Sequence, residues 1–126
     1  DEAWRWKHRV GGAMRQAGII AAAGSWALAN HVERLAEDHD NARQFAQRIS
    51  AIPGVQLVNE DVQTNLVFFD VSGSRLSAQD ISVRLREQGV WIGAIDSKRM
   101  RGVTHLDVNR DDVDEAADRL AEVING

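Results

Sequence analysis

The residues of this chain that could do chemistry fall into two basic clusters. Arg5, Lys7, His8, Arg9 and Arg15 crowd around the Gly11-Gly12 pair of RWKHRVGGAMRQAG, and Lys98, Arg99 and Arg101 open the stretch SKRMRGVTH. Cationic groups of this kind can hold a phosphate or a carboxylate through charge-assisted hydrogen bonds, arginine bidentately. The Gly11-Gly12 pair lacks the spacing of a dinucleotide fingerprint or a Walker loop. Arg101, at the start of an expected strand and followed by Gly102, could bind a carboxylate with little crowding. It could also be an edge-strand charge that deters aggregation, and pattern alone favours that second reading.

Other constellations weigh less. His31 and His39 lie eight residues apart on one expected helix, where they share a face but cannot share a metal. Asp107 could orient His105 from the same face of an expected strand, a pairing that reads as structural rather than catalytic. The acid-dense NRDDVDEAADR lacks the ligand spacing of a calcium loop and reads as helix capping. ERLAEDHDNARQ reads as a solvated helix face, with Glu33–Glu37 repulsion offset by an Arg34–Asp38 pair.

Composition narrows the classes. The 126 residues are 44% hydrophobic and 27% charged, with a net charge of −4, which is ordinary for one globular domain and argues against a nucleic-acid partner. The chain has no cysteine, so it has no disulfide, thiolate nucleophile or zinc–thiolate site, in keeping with a reducing cytoplasm. Its most apolar stretch, Ala17 to Ala29, is too short and too rich in glycine and alanine to span a bilayer. DEAWRWKHRV begins with Asp1 and reads as mid-helix, so the expectation is a chain that continues a longer parent.

The elements that must position the clusters follow from periodicity and punctuation. Leu28, Val32, Leu35, Ala42, Ala46 and Ile49 recur at helical steps, predicting a helical run from Met14 to Ile52 that Pro53 and Gly54 end. Gly11, Gly12, Gly18 and Gly24 within or before that run predict close helix–helix or helix–backbone approach. VQLVNED and TNLVFFDV predict two strands, and VWIGAID and RGVTHLDV two more. Between the pairs, Ser77 caps a helix with Asp80 at N3, Leu76 stapled onto Ile81 and Gly89 at its end. Asn109 caps a last helix with Asp112 at N3 and Val108 stapled onto Val113. The expected fold is α+β: a long N-terminal helix, then a small, mainly antiparallel sheet covered by helices. Residues 1–52 form the connecting segment, and residues 53–126 the small domain.

Taken together, RWKHRVGGAMRQAGIIAAAGSWAL, NHVERLAEDHDNA, VQTNLVFFDV and RGVTHLDVNRDDVD, in that order, resemble the C-terminal part of L-threonine aldolases. These are pyridoxal-phosphate enzymes of the aspartate-aminotransferase-like fold, known as fold type I. The resemblance runs from about Trp4 to the end of the chain. It implies cleavage of L-threonine- or L-allo-threonine-type β-hydroxy-α-amino acids to glycine and an aldehyde, with pyridoxal 5'-phosphate as the electron sink. It implies that Arg101 grips the substrate carboxylate, reversing the reading from pattern. It implies that Arg15 and His8 lie in a segment contacting the cofactor region or a neighbouring subunit of a cytoplasmic homo-oligomer, a dimer or tetramer. Neither Lys7 nor Lys98 matches the family's Schiff-base lysine, so catalytic groups and most of the cofactor site are expected upstream, and the fragment alone is expected to be inactive. Two departures stand out: His8 replaces a common lysine, and Ala13 a third glycine. The alternatives are a related lyase performing β-elimination, or a non-catalytic α/β module that binds a partner through its first helix.

Overall fold

The computed structural model describes residues 1–12 and 14–126; Ala13, noted above as a departure, lies outside the described residues. The chain divides into two compact units, Asp1–Arg34 and Leu35–Gly126. The first holds α1 (Glu2–Arg9) and α2 (Gly18–Asn30). The second holds α3 (Leu35–Ser50), β1 (Gln56–Leu57), β2 (Leu66–Asp70), α4 (Ala78–Glu87), β3 (Gly93–Ala94), β4 (Arg99–Val103) and α5 (Arg110–Asn125). The four strands form one antiparallel sheet in the order β1-β2-β4-β3.

Strand alternation decides what each face does. Val67 and Phe69 of β2 and Met100 and Gly102 of β4 are buried, while Leu66, Arg99, Arg101 and Val103 are exposed. Val67, Phe69 and Met100 form one core with Ala42, Phe45, Ala46 and Ile49 of α3, Ala78, Ile81 and Leu85 of α4, and Val113, Ala117, Leu120 and Val123 of α5. Each of the Val, Leu, Ile, Met and Phe side chains among them contributes about 1.5–3 kcal/mol on leaving water. Helices thus cover one face of the sheet and leave the other open, which is the expected α+β architecture.

The helix ends behave as their sequences require. The Ser77 hydroxyl accepts from the Asp80 amide at 3.2 Å, and Asn109 and Asp112 form a reciprocal capping box. Gly89 takes the left-handed conformation (φ +84°) after α4. Leu76 and Val108 pack against the core beside these caps. α3 and α5 are clamped at their rims by Gln44 donating to Asp114 at 2.6 Å and by Arg48, which pairs with Asp114 and Asp118.

Several expectations shift. The run from Met14 to Ile52 is two helices separated by a turn at residues 31–34. Leu28, Val32 and Leu35 are exposed, whereas Ala42, Ala46 and Ile49 are buried. A four-residue turn is close to one helical repeat of 3.6 residues, so it leaves the apolar spacing in phase and invisible to a count. α3, grouped with residues 1–52 on sequence, packs within the second unit. β1 and β3 shrink to two residues each, and β4 begins earlier than expected, at Arg99, and ends at Val103. Of the early glycines, Gly12 makes a close approach, a Cβ there lying 2.9 Å from Lys7 Cγ, and Gly11 takes a positive φ. Gly18 and Gly24 meet nothing within 4 Å among the described residues. Asp38, placed on the solvated face by sequence, is buried.

The end of the central strand pair is pinned by side chains. Beyond Leu66↔Val103, Thr104 donates its amide to the Asn65 carbonyl at 3.0 Å, and Asn65 Nδ2 donates to the Thr104 carbonyl at 2.8 Å. The Thr104 hydroxyl then donates to the Asp38 carbonyl of α3 at 2.6 Å. Another tight point joins Gly54 and Gly73: Gly54 has φ +89°, and a Cβ on it would lie 2.9 Å from the Gly73 carbonyl carbon. Gly54→Ala is therefore expected to lower stability by about 1–3 kcal/mol, since backbone meets backbone and neither can yield. Urea denaturation of the two proteins checks this, and an unchanged midpoint would contradict it.

Candidate functional site

Two arginines stand on the open face of the sheet, and the fold treats them differently. Arg99 is committed: its Nε donates to Asp96 Oδ2 at 2.7 Å, and Nη2 reaches the same oxygen at 2.6 Å. Asp96 Oδ1 also accepts the Lys98 and Arg99 amides, both at 2.9 Å, closing the turn that leads into β4. These amides, followed by the guanidinium, hold the Asp96 carboxyl at about 2, against an ordinary 3.8. Arg101, two residues along the same face, has no hydrogen bond, ion pair or ring contact with any described residue. It is exposed, and its guanidinium is the one on β4 free to take an external anion.

The surroundings of Arg101 come from its cross-strand partners. Phe68 lies opposite it on β2 and Gly93 opposite it on β3. Leu66, Val103 and the half-buried Phe68 make the neighbouring surface largely apolar. Asp70 lies opposite Arg99, not Arg101. The Ser72 hydroxyl and amide, the latter donating at 2.7 Å, lower its carboxyl below the usual range.

Sequence reasoning placed the room for an anion at Gly102, and the structure corrects this. Gly102 faces the core, where a Cβ would stand 3.0 Å from the Phe45 ring. Its smallness serves helix–sheet packing, because adjacent strand residues point to opposite faces. The free space beside Arg101 belongs to Gly93, which sequence reasoning missed; a glycine inside a short apolar strand was the available signal.

His8 and Arg15 lie in the first unit, and both are exposed. The His8 ring meets Trp4 edge-on at 4.8 Å, and Arg15 sits in the turn before α2 without a partner among the described residues. His105 and Asp107 belong to a turn after β4 rather than to a strand face. The Asp107 amide donates to His105 Nδ1 at 3.3 Å, and both side chains are exposed, a local turn contact. His31 and His39 lie on different elements. His31 Nδ1 is buried with no hydrogen-bond partner among the described residues, its ring edge-on to Trp26. No group of three His, Cys, Asp or Glu among the described residues could hold a metal ion.

Lys7 Nζ lies 4.5 Å over the Trp4 ring of α1, and Lys98 is an exposed residue of the Asp96 turn.

A family model described as beta-eliminating lyase matches residues 1–72, more than half of the chain. The chain belongs to the beta-eliminating lyase family. Relatives within reach by sequence carry the aldolase name. The low specificity L-threonine aldolase of Escherichia coli (strain K12) is 42% identical over 113 residues, covering 90% of this chain and 32% of that protein. Low-specificity L-threonine aldolase 1 of Arabidopsis thaliana is 34% identical, covering 82% of this chain and 29% of its own length. The chain thus spans about a third of the curated relatives it matches. Among solved structures, C-DES, a cystine C–S lyase, superposes with a TM-score of 0.65 in a form carrying glycine covalently linked to its PLP cofactor. At 24% identity, over 71% of this chain and 24% of that one, this likeness establishes the fold alone. This chain has the α+β architecture of the small domain of a fold-type-I enzyme.

The Asp96 turn yields a pH prediction. Its folded value lies below the ordinary one, so the stability it lends is complete above pH 3.8 and is lost as pH falls toward about 2. A carboxyl-carbon NMR titration should give a midpoint near 2 for Asp96, moving up in Arg99→Ala; a midpoint at 3.8 in the unaltered protein would refute the turn's geometry.

Proposed function

We propose that the parent of this chain is a PLP-dependent carbon–carbon lyase, a threonine aldolase. It cleaves L-threonine- or L-allo-threonine-type β-hydroxy-α-amino acids to glycine and an aldehyde. The observation that carries the reading is the unpartnered Arg101 on the open face of the sheet, in a chain 42% identical to a low specificity L-threonine aldolase. Its neighbour Arg99 is neutralised by Asp96, so Arg101 alone on β4 offers a fork to a carboxylate. A bidentate pair fixes the plane of the substrate's α-carboxylate and with it the direction of the Cα–Cβ bond, which is how positioning contributes to rate.

When bound, pyridoxal phosphate supplies the sink for the electrons released at Cα. The residues of this chain fit the substrate end of such a site and not the cofactor's lysine. Lys7 lies over Trp4, and Lys98 sits exposed in a turn. We assign the Schiff-base lysine and most phosphate ligands to the two thirds of the relatives' length that this chain does not span. The 126 residues alone are then inactive. Arg15 and His8 are assigned to the cofactor side or to a subunit contact of a cytoplasmic homo-oligomer, a dimer or tetramer, serving glycine and amino-acid metabolism.

A second reading, β-elimination, is favoured by the family model's own description. Product analysis separates the two. The parent enzyme with PLP and L-threonine should release glycine and acetaldehyde, whereas elimination or dehydration would give a 2-oxo acid and ammonia. The isolated chain with PLP should release neither, and turnover by it would overturn the division of labour. Arg101→Ala in the parent should raise KM for L-threonine by about tenfold or more, the loss of a charge-assisted hydrogen bond of about 1.5–3 kcal/mol. An unchanged KM would remove Arg101 from the site.

A further inference from the structure

Gly93 is the one strand residue beside Arg101 whose glycine identity the fold does not explain. It is not in the left-handed region, where only Gly11, Gly54 and Gly89 among the described glycines lie. A Cβ built on it would meet only the Arg101 carbonyl oxygen, at 4.0 Å, an ordinary contact. The fold would accept a side chain there, and a strand glycine forfeits packing and costs chain entropy. Gly102 and Gly54 differ: one is forced small by the Phe45 ring, the other by positive φ and the Gly73 backbone.

The register shows what the missing side chain leaves open. Gly93 and Phe68 flank Arg101 on its two sides in one cross-strand row. Directly opposed residues carry their Cβ atoms about 4.5–5.5 Å apart on the same face. A side chain at 93 would therefore stand alongside the Arg101 stem on the open face, as Phe68 does from the other side.

We propose that Gly93 is a specificity position: its missing side chain keeps a slot beside Arg101 through which the substrate's α-carboxylate meets the guanidinium edge. Phe68 walls the opposite flank and confines the carboxylate to that slot. A bidentate carboxylate–guanidinium pair is planar and needs lateral clearance in its plane, which a branched side chain at 93 would occupy. The inference rests on the reading of Arg101 as the carboxylate grip.

The test uses the full-length enzyme and separates the two claims. Gly93→Val should raise KM for L-threonine and weaken inhibition by glycine by about tenfold or more, with a smaller change in kcat. Gly93→Ser should fall between Gly93→Val and the unaltered enzyme. A readout independent of turnover is thermal melting: glycine should raise Tm, glycinamide, which lacks the carboxylate, should not, and Gly93→Val and Arg101→Ala should both abolish the difference. If Arg101→Ala loses glycine recognition while Gly93→Val keeps unaltered KM and Tm shifts, the slot is overturned and the Arg101 reading stands. If Arg101→Ala changes neither, both fall. Should Gly93→Val fail to fold, Gly93→Ser and Gly93→Ala carry the test, and unaltered KM and glycine inhibition in both would overturn the slot.

Discussion

The site depends on the register of β4 against β2. Strand side chains alternate, so Met100 and Gly102 enter the core while Arg99 and Arg101 face out. A slip of one residue would exchange the two sets, burying two guanidinium groups and turning Met100 to water. The cost of an unpaired buried charge makes that alternative inaccessible. Placing Phe68 opposite Arg101 thus settles at once where the core lies and where a cation can meet an anion.

What holds the register is distributed. Val67, Phe69 and Met100 fill one layer with helical side chains, and Gly102 is small because Phe45 lies over it. At the end of the pair, Asn65 and Thr104 exchange hydrogen bonds in continuation of the ladder, and Thr104 ties that end to α3 through the Asp38 carbonyl. Polar side chains at the end of a ladder can fix register where apolar contacts are tolerant, because each misplaced donor would lose its partner. α3 and α5 complete the cover, their shared rim bound by Arg48 and Gln44.

The open face shows how local chemistry separates two identical side chains. Arg99 and Arg101 have the same alternation and exposure, yet Asp96 reaches only the first. An Asx-type turn holds Asp96 in place through two backbone amides before it engages the guanidinium. The pair is exposed and contributes little to stability. Its effect is selective: it removes one cation from competition and leaves the other with an apolar wall and an empty flank.

Much of this was legible in the sequence. Caps at Ser77 and Asn109, the end of α4 at Gly89, the apolar strand over Leu66–Asp70 and the order of helices and strands follow from short-range rules, because capping, turns and alternation are local interactions. Ordered motifs around RWKHRVGGAMRQAG and RGVTHLDV also pointed to the family. Tertiary structure decided the rest. It broke the first helical run at a turn that spacing cannot register, buried Asp38, and separated Arg99 from Arg101. It also placed the open flank beside Arg101 at Gly93 rather than Gly102. Which residue lies beside Arg101 is a property of strand pairing across separate stretches of chain, and no local pattern carries it.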